Sequence, residues 1–316
     1  MAVIKVWDIA YGRLRSPDLD KQEEFLTDFG MVRVARTPNA LYMRGTDPFH
    51  HIHITEKGDP AFLGMAWHAK SEDDLKALAK APGASGVEHM DEPGGGMRVR
   101  LKEPNGYTVE VVYGMEAVLP IQAIRQAVNS GPEPFNRRGE LMRIKKGPAS
   151  VKRIAHGVMG TPKNIETVKW HREMLGLICS DDVYAGAKEN VIGSFNRCDN
   201  GEDFVDHHAF FCMKNEKAAG LNHFSFEVQD IDDVFIGHEY LRGKQQYEHM
   251  WGIGRHLLGS QVYDYWADPW GRVHEHWADS DRLNVKNGSN LVSVEEALVS
   301  QWGEPPSERF INTASP

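Results

Sequence analysis

The chain has 316 residues, 41% apolar and 26% charged, the balance of a soluble globular protein, and its length suits two domains of roughly 150 residues. A net charge of -9 speaks against a nucleic-acid surface, which needs a basic excess, and against an anionic membrane. Cys179, Cys198 and Cys212 form no CxxC pair, so no disulfide framework is expected and a reducing compartment fits. The N-terminal stretch has no signal-peptide pattern, and no run of about 18 apolar residues exists. A cytoplasmic protein without a membrane span is the expectation.

Taken in chain order, the first unit is "IAYGRLRSPDLDKQEEFLTDFGM", residues 9 to 31. Alternating apolar residues run into a proline turn and then an amphipathic helical pattern ending at Gly30, a strand-to-helix unit. "HHIHITEKG" (50 to 58) follows, then "WHAKSEDDLKAL" (67 to 78), a strand leading into an acidic helix start. "KEPNGYTVEVV" (102 to 112) places a Pro-x-Gly turn between strands. A stretch rich in turn residues and charge, about residues 115 to 149, comes next. The same series then returns: "IAHGVMGTPKNIETVKWHREMLGL" (154 to 177), "HHAFFCMKN" (207 to 215), "FEVQDIDDVFIG" (226 to 237) and "ADPWGRVHEHW" (267 to 277). The chain is therefore two related halves, each of two strand-helix-strand-strand-strand (βαβββ) units. The expected class is α+β, with an N-terminal domain over 1–130, a second domain over 150–290 and a tail over 291–316. Within the tail, "SVEEALVSQWG" reads as a short helix capped by Ser293. The tail is expected to lie over the mouth of a site and order on substrate binding, to make a subunit contact, or to be a loose end.

Setting the halves against each other pairs His156 with Tyr11, His223 with Gly64 and Glu275 with Glu110. Only the second half offers two imidazoles and a carboxylate, each on a predicted strand. That ligand set, with positions left open, is the one used for non-haem Fe(II) oxygen chemistry. Strand alternation turns His274 and His276 to the face opposite Glu275, away from any ligand role. His50, His51 and His53 lack partner ligands in their half and are read as without function. His68, His171, His238 and His249 are expected to be solvated. Glu110 reads as a remnant or a structural strand carboxylate, and Trp251 is a candidate wall for an aromatic ring.

Further spacings carry a family resemblance. His208 precedes His223 by 15 residues, and in "GIGRH" His256 precedes Tyr265 by nine and Glu275 by 19. The second half thereby resembles the catalytic domain of type I extradiol catechol dioxygenases, in the vicinal oxygen chelate superfamily, whose members pair an inactive first domain with an active second one. The resemblance implies that His156, His223 and Glu275 hold Fe(II), or Mn(II) in some members. It implies His208 as acid/base, Tyr265 as a hydrogen-bond donor to the catecholate, and His256 on a substrate oxygen. It also implies an aromatic diol and O2 as substrates, a ring-opened semialdehyde or keto acid as product, and a homo-oligomer. The rival readings are a 4-hydroxyphenylpyruvate dioxygenase, a glyoxalase and a non-catalytic binding protein of the same fold. The first would show a Gly-rich stretch ending in Asn-Phe, which is not present, and glyoxalase I usually adds a glutamate ligand.

Overall fold

The computed structural model describes residues 2–123 and 125–315. The first half runs β1 (Asp8–Ser16), α1 (Leu19–Asp28), β2 (Val32–Arg36), β3 (Ala40–Arg44), β4 (His53–Lys57), then β5 (Ala61–His68), α2 (Glu72–Leu78), β6 (Glu88–His89), β7 (Met97–Lys102) and β8 (Thr108–Tyr113). The second runs β9 (Val151–Thr161), α3 (Asn164–Leu175), β10 (Ile178–Tyr184), β11 (Val191–Arg197), β12 (Val205–Asp206), β13 (Phe210–Lys214), then β14 (Gly220–Val228), α4 (Ile231–Lys244), β15 (Glu248–His256), β16 (Val262–Ala267) and β17 (Val273–Ala278). Four βαβββ units result, with β12 a two-residue addition. Asp18, Ser71 and Asp230 cap α1, α2 and α4 by accepting from backbone N–H groups of the first turn. Gly176 ends α3 at φ 70°, where its N–H donates to the Arg172 carbonyl.

In every unit the helix carries the chain across the sheet, so the first and fourth long strands pair in parallel: β1 with β4, β5 with β8, β9 with β13, β14 with β17. First strands pair antiparallel across each half, β1 with β5 and β9 with β14. The sheets run β2-β3-β4-β1-β5-β8-β7-β6 and, in the second half, β10-β11-β13-β9-β14-β17-β16-β15 at their centre.

The tail extends the second sheet at both edges. After β18 (Arg282–Leu283), which pairs with β12, and a 3-10 turn at Val285–Asn287, β19 (Asn290–Ser293) adds to β10. α5 (Val294–Ala297) starts at the Ser293 cap, β20 (Ser300–Trp302) adds to β15, and α6 (Glu308–Ile311) follows. The helix expected from "SVEEALVSQWG" is thus one turn, and its second part is an edge strand.

The repeated Ile-Ala-x-Gly glycine has a packing cause. A Cβ on Gly12 would sit 2.4 Å from the ring of Phe224, and one on Gly157 would sit 2.9 Å from Met65. Only glycine lets each half's first strand pass the other half this closely. One apolar cluster accordingly draws Ile9, Phe25 and Trp67 together with Ile154, Phe210 and Phe224. Arg272, in the "ADPWGR" turn, fastens the halves. It pairs with Asp268 and donates to the Arg15 carbonyl at 2.6 Å, Ser16 at 2.7 Å and Gln22 at 2.7 Å. Residues 115–149, among those described, carry no helix or strand beyond a bridge from Ala117 to Phe49.

Candidate metal centre

Strand register brings the three paired positions together. Ser225 of β14 lies opposite His156 on one side and Glu275 on the other, and His223 sits two residues back on the same strand. In the first half, Ala66 holds the place of Ser225 between Tyr11 and Glu110, and Gly64 the place of His223. The alignment of halves read from sequence is therefore the alignment of their strands.

His156 and His223 both aim Nε2 at one carboxylate oxygen of Glu275, at 3.1 and 3.5 Å. Glu275 is fully buried, and neither of its oxygens has a hydrogen-bond partner among the described residues. A buried carboxylate with nothing to accept from is costly, and a cation is what removes that cost. His223 Nδ1 lies 2.7 Å from Asn222 Oδ1. Its Nδ1–H donates there and leaves the Nε2 lone pair facing Glu275. Burial pushes the His223 imidazole down to about 3, so the ring is neutral and ligand-competent at neutral pH. Two imidazoles and one carboxylate, all within ligand reach of one another, fit a divalent ion with open positions.

The other candidates surround this group. The His208 ring lies 4.1 Å from that of His156, tilted by 40°, and burial, with His156 next, holds it well below its ordinary value. Its neighbour His207 is turned away and meets Asp181 Oδ2 at 2.6 Å, while the two Nδ1 atoms of His207 and His208 are 3.1 Å apart. A carboxylate only accepts, so His207 carries its proton on Nε2. In the neutral ring its Nδ1 then accepts from His208 Nδ1–H. His208 Nε2 is left as a free base. Tyr265 Oη lies 2.9 Å from His256 Nε2, which is 3.6 Å from the second Glu275 oxygen. Burial and then Glu275 hold the Tyr265 phenol well above its ordinary value, so it stays a donor. Tyr263, on the same strand face, stacks on His256 and bonds Ser300 at 2.6 Å.

A cavity of about 120 Å³ opens beside His156, His208, His223, His256 and Tyr265. Trp251 forms part of its wall, and Leu298, Phe310 and Ile311 bring the tail over it. Asn222, not singled out from sequence, lines it as well. A bulge in β14 between Leu221 and His223 turns both Asn222 and His223 toward the cavity. The Asn222 amide also donates to the Phe310 and Thr313 carbonyls at 3.1 and 3.0 Å, tying the tail to the His223 ring. Asp181 is the other residue missed. It lies on β10, 26 residues from the histidine it holds, and no motif marked it.

In the first half the equivalent carboxylate is partnered by side chains. Glu110 accepts from the Tyr11 hydroxyl and pairs with Arg13 at 3.1 Å and Arg98 at 3.5 Å. Two guanidinium groups supply the positive charge there. His50 and His51 repeat the Nδ1 pairing of His207 and His208 at 3.0 Å, but beside Tyr11. A side chain at Gly64, at φ 146°, would strike the Thr108 carbonyl.

The expectation that His68, His171, His238 and His249 are solvated is corrected for the first three, while His249 is exposed as expected. His171 is buried on the inner face of α3, stacked on Phe210 at 4.1 Å, and His68 is stacked on Trp7 at 4.7 Å. His238 and His249 converge on Asp264 at 3.1 and 2.7 Å, on the face of β16 away from the cavity. This second His-His-Asp group differs from the first in one respect. Both Asp264 oxygens are hydrogen-bonded, one of them also to the Trp266 indole at 2.5 Å, so no cation is needed to satisfy it. His274 and His276 lie, as alternation required, in the seam between the halves against His53 and the Phe29 carbonyl.

Two paired halves of βαβββ units are the arrangement of the vicinal oxygen chelate fold. Along most of its length the chain is similar to named extradiol dioxygenases. It is 28% identical over 312 residues to metapyrocatechase 2 of Cupriavidus necator, covering 97% of this chain and 92% of that protein. It is 24% identical over 314 residues to the manganese-dependent 2,3-dihydroxybiphenyl 1,2-dioxygenase of Geobacillus genomosp. 3, covering 92% and 88%. Among solved structures, the Mn(II)-bound glyoxalase from Novosphingobium aromaticivorans matches with a TM-score of 0.79 at 22% identity, covering 97% of this chain and 94% of that one. The homoprotocatechuate 2,3-dioxygenase of Brevibacterium fuscum, in complex with 3,4-dihydroxyphenylacetate, matches with a TM-score of 0.79 at 18% identity over 99% and 94%. No protein-family model matches the chain. No helix among the described residues is long and apolar enough to cross a membrane.

Proposed function

We propose that the chain is an extradiol dioxygenase, opening the ring of an aromatic diol with O2 at an Fe(II) or Mn(II) ion held by His156, His223 and Glu275. The observation that carries the reading is the fully buried Glu275 carboxylate, unpartnered, with two imidazole nitrogens directed at it. The ion would supply a Lewis-acidic centre with open positions where diolate and dioxygen meet. His208 Nε2, left free by the Asp181–His207 relay, takes the diol proton and returns it when the ring has opened. Tyr265 donates to the diolate oxygen, and His256 orients that hydroxyl. The tail residues Leu298 and Phe310 exclude water from the pocket. Glyoxalase chemistry has less support, because among the described residues the group holds three ligands without a further carboxylate. Membership of a homo-oligomer and a cytoplasmic setting belong to the same proposal. The test is anaerobic reconstitution with Fe(II) or Mn(II), then oxygen uptake on adding a panel of catechols. Diol-dependent uptake with a yellow ring-opened product is expected. Bound metal with no uptake across the panel overturns the reading.

A further inference from the structure

The wall of the cavity outside the polar cluster is apolar. Phe195 and Phe211, stacked at 3.9 Å, form one side with Met213, and Trp251, Leu298 and Phe310 form the other. Among the described residues that line it there is no lysine and no arginine. The arginines adjacent in sequence to lining residues are engaged elsewhere. Arg255 donates to the Ser260 carbonyl at 2.7 Å and pairs with Asp279 at 2.9 Å. Arg309 pairs with Glu248. A carboxylate carried in on a ring substituent would be desolvated against these side chains with no cationic side chain to meet it.

We propose, resting on the dioxygenase reading, that the substrate is an uncharged diol bearing an apolar alkyl or aryl substituent, and that the site rejects diols bearing a carboxylate. Selectivity comes from what the wall lacks. Leu298 is the informative position, because it lines the cavity from the tail yet is 45% exposed. A longer cationic side chain there can reach the pocket while its stem stays on the rim.

The test uses 3,4-dihydroxyphenylacetate, its methyl ester and 4-ethylcatechol, which keep the diol and change only the charge and shape of the substituent. Binding to the metal-loaded protein is measured anaerobically by calorimetry, and turnover separately by oxygen uptake. The ester and 4-ethylcatechol are expected to bind about 100-fold more tightly than the acid, the scale of one unpaired buried charge. Leu298→Arg should improve binding of the acid by about 10-fold while leaving the ester no tighter. Acid binding equal to or tighter than that of the ester, or no binding of the ester and 4-ethylcatechol, overturns the inference. Turnover of the acid matching the ester refutes it with the dioxygenase reading intact. Preferential binding of the ester without oxygen uptake from any diol supports it and sinks that reading instead.

Discussion

Asn222→Ala removes the residue that joins the metal centre to the tail. Asn222 is buried, accepts from His223 Nδ1 at 2.7 Å, and donates to the Phe310 and Thr313 carbonyls at 3.1 and 3.0 Å. Three hydrogen bonds at about 1 kcal/mol each are lost, and the His223 N–H is left buried without an acceptor at a cost of about 1–3 kcal/mol. Water entering the vacated space restores part of this, so a net loss of about 2–4 kcal/mol in stability is expected. Removing the partner that orients a ligating imidazole should weaken metal affinity about 10- to 100-fold, or about 1.4–2.8 kcal/mol. Asn222→Asp separates the two functions. A carboxylate keeps and strengthens the acceptor for His223, but it faces two carbonyls with no proton to give. That variant should hold metal as well as the wild type while its tail loosens. Chelator competition measures the affinity, and hydrogen exchange over residues 305–315 measures the tail. If Asn222→Ala keeps wild-type affinity and its tail stays protected, the reasoning is refuted.

Three further outcomes are expected. His208→Phe should retain the metal and lower turnover by about 100-fold or more, the scale of a lost acid/base, read by metal analysis beside steady-state oxygen uptake; normal turnover removes His208 from that role. Arg272→Leu strands Asp268 in the seam between the halves, so it should cost about 3–5 kcal/mol in urea unfolding, and a change under 1 kcal/mol would mean that the clamp is incidental. His238 is held above its ordinary value of 6.5, first by its hydrogen bond to Asp264. A pKa raised on folding gives stability that is full below the unfolded value and is lost as pH rises through the folded one. The destabilisation caused by His238→Gln should therefore be larger at pH 6 than at pH 9, and a loss that grows with pH would contradict the pairing.

The features legible in the sequence were the local ones that recur. Ile-Ala-x-Gly and Pro-x-Gly appear twice because the same strand crossing and the same turn are built twice. Their spacing sufficed to align His223 with Gly64, an equivalence that the strand register shares. Residues that act across strands left no such trace. Asn222 reaches the cavity through a bulge, which breaks the alternation used to assign faces. Asp181, on β10, meets His207 from 26 residues away, in the loop between β12 and β13. The pairing of His238 and His249 with Asp264 was not legible because the three lie on three different elements. The edge strands β19 and β20 are four and three residues long, too short for a periodic signal, and they exist because open sheet edges were available to pair with.

The central claim is that Glu275, His156 and His223 hold one divalent ion that makes the chain an oxygen-using enzyme. Anaerobic titration of the wild type and Glu275→Ala with Fe(II) and with Mn(II), followed by oxygen uptake on a catechol, tests it most directly. One equivalent of metal per wild-type chain is expected, with diol-dependent uptake, and neither from a Glu275→Ala protein that retains its fold by circular dichroism. Stoichiometric metal and undiminished uptake in Glu275→Ala, or a wild type that binds no ion, would contradict the account.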